Sequence, residues 1–589
     1  MKTNVYLFLF FTIFKTLSLS GCKHVSSDGD SGLQSMSSHS DDLRNAVIRE
    51  LEKKNSATKG SLWSPGNGNL PTNWVVQSPE GYWGKSIDEL PIGFECPPGS
   101  AGCDSVFPRK LCSTDDDCAS SRTRCKILEA SASPIMKARA MCVGSGDSLL
   151  DRFYSVMVGT QKHLDITSLA APDGAFRSAF TNALAILHER ANPPTVRILL
   201  SGEKVVALNT VNRAQQALER IWAETGIAAG DPEGFAAELA GKKVKMKMNL
   251  GYVAFASGMG ALPDILKLNF TSWNHSKIII SDSSRFIQGG HNMWSSAYSS
   301  PEPVSDLSME VSGSIATGTQ AYVNALWSKV KSENFFTKHT THLYGEIPNR
   351  SFLSSESYRI PNPNLQPATA GTIPMIAVGR MGALGANPSD DALNALIEAS
   401  TDRLDFVVQD MYGLISNVSQ FFPDVVSGIV SQRTWVFDAL ARASLRGVKI
   451  RVVQSDTKIG VNDYTLSRYT TTYDLLIKDL IAFAKRSNFK TPSGQSLREY
   501  FCQAVEYAPY RYSATDDSWK AGGGFASHAK MLIVDDSAFY IGSQNFYVSN
   551  LQEFGLIVAD QAATKQLQKK NWDLIWNASQ PSKAACPNI

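Results

Sequence analysis

An excess of charge of either sign is missing from this chain. Its 57 lysines and arginines stand against 55 aspartates and glutamates, a formal charge of +2. Domains that grip nucleic acid carry a basic surplus that neutralises phosphates, so the total weighs against a nuclease. Long apolar runs are missing too. The stretch 5–14 is too short to cross a bilayer, which takes about 20 residues, and behind Lys2 it has the form of a secretory leader. No two cysteines have C-x-x-C spacing. No histidine lies among the six that crowd between Cys96 and Cys142. A zinc knuckle needs such ligands, so this crowd reads as disulfide-bonded in an exported chain.

The leader closes on Leu19-Ser20-Gly21-Cys22. Either this is a lipobox, with Cys22 lipidated and becoming the mature N-terminus, or cleavage falls near Ser20 and Cys22 is incidental. Setting Cys22 aside leaves an even eight cysteines, of which Cys502 and Cys586 are expected to pair and pin the C-terminal tail. Residues 23–40, rich in Ser, Gly and Asp, read as a flexible tether. Leu43, Val47 and Leu51 recur every four positions and predict a helix packed on the first domain. Trp63, Trp74 and Trp83 read as core. Asp115, Asp116 and Asp117 read as a charged loop tip rather than a calcium site.

What is present in duplicate organises the rest. His275, Lys277, Asp282, Gly289 and Asn292 are repeated at identical spacing as His528, Lys530, Asp535, Gly542 and Asn545. Ile278 to Ile280 and Met531 to Val534 read as short buried strands. Positions two apart share a face of a strand, so each Lys points with its His. Asp282 and Asp535 lie an odd number of positions away and read as structural partners rather than bases. Around each motif, apolar strands alternate with helices: 164–169 and the T-V-R-I-L-L run before the first, 403–409 and V-K-I-R-V-V before the second. Alternation of this kind indicates α/β architecture. The repeat implies two similar domains facing each other across a pseudo-two-fold axis, with the two histidines at the seam.

One imidazole, one fixed cation and amide donors in each copy suit a phosphodiester. The cations and amides hold non-bridging oxygens as charge grows. One ring attacks phosphorus and the other protonates the leaving oxygen. An unperturbed pKa of about 6.5 would let one ring be neutral and the other charged near neutral pH. The lysines supply the positive charge, so neither metal nor cofactor is expected.

The duplicated H-x-K-x4-D motif resembles the signature of the phospholipase D superfamily. The runs N-H-S-K-I-I-I-S-D, G-G-H-N-M-W, P-V-S-D-L-S-M-E-V-S-G and V-D-D-S-A-F-Y-I-G-S-Q-N are similar to the secreted Streptomyces-type enzymes, and the likeness extends from about residue 41 to the end. It implies two α/β/α sandwich domains with the site between them. The leader would span 1–22, the first half 41–345 with a Cys-rich insert at about 94–146, the connector 346–374 and the second half 375–589. The insert is longer than in the relatives and reads as a braced loop or a small binding module.

The resemblance also implies roles. The catalytic set is His275, Lys277, Asp282, His528, Lys530 and Asp535, with His275 as nucleophile and His528 as general acid and then base. Asn292, Asn545, Gly290 and Ser543 line the phosphate site. An acidic residue downstream of each motif orients its histidine, and Asp306 and Glu553 fall there; Glu553 departs from the family's Asp. The expected activity is an exported phospholipase D that cleaves glycerophospholipids of the phosphatidylcholine type to phosphatidic acid and free head group through a phosphohistidine, with transphosphatidylation to alcohols, at a membrane or micelle surface, acting as a monomer with no nucleic acid partner. The alternative is an exported nuclease or other phosphodiesterase with the same chemistry. The loop 508–525, with Tyr510, Tyr512, Trp519 and three glycines, reads as either a mobile lip at the entrance or a plain solvent loop.

Overall fold

A computed structural model describes residues 38–80, 83–89, 147–169, 190–201, 248–255, 272–298, 302–329, 370–382, 385–411, 436–456, 468–492, 494–513, 515–519, 524–547 and 551–589, with short pieces between 114 and 143, 172 and 187, and 339 and 344. The leader, Cys22, most of the tether, most of the Cys-rich insert and most of the connector lie outside the described residues.

The strands of the first half are β1 (Trp63–Gly68), β2 (Val75–Ser78), β3 (Arg124–Leu128), β4 (Arg139–Val143), β5 (His163–Ser168), β6 (Thr195–Ser201) and β7 (Met248–Phe255). They continue with β8 (Ser272–Trp273), β9 (Ile278–Ser281), β10 (Arg285–Gly289), β11 (Asp306–Ser312), β12 (His339–Thr340) and β13 (Leu343–Tyr344). The second half holds β14 (Ile373–Arg380), β15 (Arg403–Val408), β16 (Lys449–Gln454), β17 (Val505–Pro509), β18 (Met531–Val534), β19 (Ala538–Gly542) and β20 (Glu553–Val558).

Two sheets follow. One runs β12-β7-β6-β5-β9-β10-β11-β2 and the other β1-β14-β20-β19-β18-β15-β16-β17. In the first, β5, β6 and β7 are parallel, while β9, β10, β11 and β2 add on antiparallel. In the second, β15, β16 and β17 are parallel, and β18, β19, β20 and β14 add on antiparallel. Order and sense therefore repeat strand for strand, as the duplicated sequence pattern requires. A β-strand with both faces buried reads as an unbroken apolar run, and β9 and β18 are such strands. Ile278 and Ile280 of β9 enter a central cluster with Met531 and Ile533 of β18. Ile279 and Leu532 turn to the outer clusters of their own halves.

The N-terminal helix His39–Asn55 buries Leu43, Val47 and Leu51 as the spacing predicts. It packs on the second half, not the first: it joins the cluster of Leu393, Leu396 and Ile397 from the helix Pro388–Glu398. The reason lies just downstream, where β1 pairs with the edge of β14 and carries the preceding helix with it. The helix also starts inside the stretch expected to be tether. Trp63 and Trp74 are buried core residues, and Trp83 packs edge-on against Tyr510 and Tyr512. The described aromatics of the 508–525 loop are packed inside rather than exposed to solvent, and Gly522 and Gly523, on which the lip reading rested, lie outside the described residues. Tyr512, Trp519 and Phe525 pack against one another with ring centroids 4.6–5.3 Å apart, all buried. Cys502 and Cys586 form the expected disulfide.

Candidate active site

Each motif histidine is placed by a backbone stitch to the opposite half. The N–H of His275 donates to the carbonyl of Gln552 (2.8 Å), and the N–H of His528 donates to that of Ser305 (2.7 Å). Gln552 and Ser305 immediately precede Glu553 and Asp306. The stitches therefore set each ring beside the other half's carboxylate. His275 Nδ1 meets Glu553 Oε1 at 3.1 Å, and His528 Nδ1 meets Asp306 Oδ2 at 2.8 Å. This corrects the expectation that each acidic residue serves the histidine of its own motif: the pairs cross. Glu553 reaches its imidazole despite its extra methylene. A ring that donates from Nδ1 to a carboxylate keeps its proton there, which makes Nε2 the atom that can attack or carry a second proton.

The crossing brings the two imidazoles together. Their centroids lie 6.1 Å apart with the rings inclined at 75°. Lys277 Nζ donates to the carbonyl of His275 (2.7 Å), and Lys530 Nζ to that of His528. Asn292 and Asn545 are buried in the loops that follow β10 and β19. Both polar side-chain atoms of Asn292, and Oδ1 of Asn545, are buried without a protein hydrogen-bond partner. Buried polar atoms are almost always satisfied, so these amides are arranged for something that enters the site. Gly290 lies against Asp306, and a Cβ there would overlap the carboxylate. Ser543, its counterpart, accepts the N–H of Phe554 through its hydroxyl (3.1 Å).

The motif aspartates are elsewhere. Asp282 accepts the backbone N–H groups of Gln161, Lys162 and His163, and Asp535 those of Thr401, Asp402 and Arg403. Both sit in tight turns at φ near +50°, followed by a second residue of positive φ; Asp tolerates that conformation better than most side chains. They fasten each hairpin to the start of the neighbouring parallel strand. Their inclusion among the catalytic residues is thus corrected, and the parity reading of them as structural partners agrees with their position.

Burial sets the electrostatics. Desolvation, then the charge of Lys530, holds the His528 ring down at about 4 against the opposing pull of Asp306. His275 is also pushed well below its ordinary value, by burial and then by Lys277 and Lys530. The ordinary value of about 6.5 therefore holds for neither ring, because both are buried and two lysines stand close by. Lys530 is itself pushed down to about 7 by burial. Glu553 is raised to about 7 by burial, with Arg380 pulling the other way. Asp306 stays below the usual carboxylate range: burial would raise it, but the nearby His528 and His291 outweigh that. An entering phosphate would add the anion that this cluster of cations lacks.

Two residues escaped the sequence reading. His291, between Gly290 and Asn292, is buried with Nε2 3.0 Å from Ser78 Oγ and Nδ1 2.8 Å from Ser308 Oγ. Tyr298 donates to Asp306 Oδ2 at 2.8 Å. Neither belongs to the repeat. The one available signal was that His291 interrupts a loop whose counterpart has Gln544. A small cavity beside Lys277 is lined by Thr167, Ser168, His291, Met293 and Ser308.

The sequence profile of the phospholipase D-like domain of cardiolipin synthase matches residues 419–575. Phospholipase D of Streptomyces antibioticus is 25% identical over 605 residues, covering 92% of this chain and 89% of that one. The crystal structure of phosphatidylserine synthase from Haemophilus influenzae Rd KW20 overlays with a TM-score of 0.41 at 11% identity, over 75% of this chain and 86% of that chain. Residues 419–575 thus match a phospholipase D-like domain, and with the duplicated motif and a relative matched over nearly its whole length the chain is similar to the phosphodiesterases of the phospholipase D superfamily.

Proposed function

We propose that this protein is an exported phospholipase D that hydrolyses glycerophospholipids, phosphatidylcholine-type lipids first, to phosphatidic acid and the free head group. The observation that carries the reading is the pair of imidazoles 6.1 Å apart, with two buried lysines and unsatisfied amide atoms around them. His275 Nε2 attacks phosphorus and the P–O bond to the head-group alcohol breaks. His528 gives that oxygen its proton. His528 then takes a proton from water, whose oxygen displaces His275 and releases phosphatidic acid. Lys277, Lys530, Asn292 and Asn545 hold the non-bridging oxygens, with Gly290 and Ser543 shaping the cradle. An alcohol replacing water gives transphosphatidylation. The Cys502–Cys586 disulfide supports export to an oxidising compartment. Whether Cys22 carries a lipid is a separate part of the proposal, as are a membrane or micelle surface as the place of action and a monomer as the working form.

The test is incubation with phosphatidylcholine and ethanol. Choline release together with phosphatidylethanol, both lost in His275→Ala, is the expected result. Digestion of DNA or RNA without lipid turnover would transfer the chemistry to a nuclease.

A further inference from the structure

The two histidine–carboxylate pairs differ in one connection. In one pair, Glu553 Oε1 takes both the His275 ring and the backbone N–H of Asn545, at 3.1 and 3.2 Å. A single oxygen ties the orienting group to the loop that bears the amide. In the other pair the carboxylate is a methylene shorter. The N–H of Asn292 reaches the hydroxyl of Tyr298 (3.2 Å), and that hydroxyl donates to Asp306 Oδ2 (2.8 Å), the oxygen that also takes His528 Nδ1. Tyr298 is fully buried at the end of the short helix Ser295–Tyr298, with its ring edge-on to His291 at 4.9 Å.

We propose that Tyr298 is a positioning residue for His528: its phenol spans the gap left by the shorter carboxylate and couples the proton-carrying ring to the Asn292 loop. This rests on the role given to His528 above. The hydroxyl also draws off part of the charge that Asp306 presents to the ring. Without it the carboxylate faces His528 undiluted, and the imidazolium is held more tightly. A tighter hold slows proton delivery to a poor leaving group and leaves a good one unaffected. Among the described residues of this half, the other buried acids, Asp165 and Glu310, are engaged by Arg197 and by Arg152 and Arg285. Among the described residues, the titratable groups that face the Asp306–His528 pair are Tyr298, His275, His291, Lys277 and Lys530.

Two substrates separate the steps. With Tyr298→Phe, choline release from phosphatidylcholine should slow about tenfold, while the initial burst of p-nitrophenolate from phosphatidyl-p-nitrophenol, in which the good leaving group takes the head-group position, stays at the wild-type rate. In NMR titrations the His528 ring should move to higher pKa and the His275 ring should not. Equal loss on both substrates, or an unmoved His528 titration, would overturn the proposal. If Tyr298→Phe does not fold, 3-fluorotyrosine at position 298 gives the converse reading. A stronger donor should lower the His528 pKa, and no shift overturns the coupling. If wild type turns over neither substrate, the functional reading fails, and the titrations still decide the coupling by themselves.

Discussion

In the first half an aspartate and a tyrosine do what one glutamate does in the second. Other features are copied faithfully. Asp165 on β5 pairs with Arg197 on β6, whose guanidinium lies 5.5 Å from the Trp327 ring centre. Asp405 on β15 pairs with Arg451 on β16, which lies 5.0 Å from Trp572. The turn aspartates, the backbone stitches and the lysine-to-carbonyl contacts are likewise duplicated. Duplication is kept where geometry alone is at stake. It is broken around the carboxylates, where on the proposed mechanism one ring attacks and the other moves a proton. Arg380 stands 3.7 Å from Glu553 Oε2, whereas Asp306 is backed by a neutral phenol.

The largest expected effect tests that division. His275→Ala should cost more than about 10⁴-fold in lipid turnover and His528→Asn about 10²–10⁴-fold. Only the second loss should shrink when the leaving group is p-nitrophenolate. Identical losses on both substrates would remove the distinction between the halves. Next is Glu553→Asp, which withdraws the carboxylate from the Asn545 N–H without restoring a bridging phenol. A fall in kcat of about 10- to 100-fold is expected, and an unchanged kcat would mean that the extra methylene is idle.

Acid stability gives a smaller effect. The folded His528 ring binds its proton near 4, the unfolded ring near 6.5, so its stabilising share is complete above 6.5 and is lost as pH falls toward 4. The loss is about 3 kcal/mol. His291, also held near 4 by burial and without a titratable counterpart in the second half, adds a similar share. Urea unfolding at pH 6.5 and 4.5 should show His291→Gln less acid-sensitive than wild type, and equal sensitivity would contradict that origin. Smallest is the turn pair. Asp282→Asn and Asp535→Asn should each lower stability by about 1–3 kcal/mol and leave kcat near wild type. A collapse of kcat without loss of stability would return these residues to the chemistry.

Much of this was legible in the chain because it is local. Short apolar runs gave β5, β6, β15, β16, β9 and β18, and the repeated spacing gave the two histidines and their lysines. The crossing of the carboxylates was not legible. It depends on histidine–carboxylate pairs 278 and 222 positions apart, and no periodicity reports such pairings. The N-terminal helix was found from its apolar spacing, but its partner was not, since Leu43, Val47 and Leu51 require only some apolar surface. The depressed imidazoles follow from burial by both halves at once. Tyr298 stayed hidden because a tyrosine six positions past an asparagine carries no pattern.

The most direct measurement is a rapid acid quench of the enzyme turning over labelled phosphatidylcholine, followed by peptide mapping of the trapped phosphoryl group. The account predicts label on His275, with more of it in His528→Asn given the p-nitrophenyl substrate. Label on His528, or none on either histidine, would contradict it.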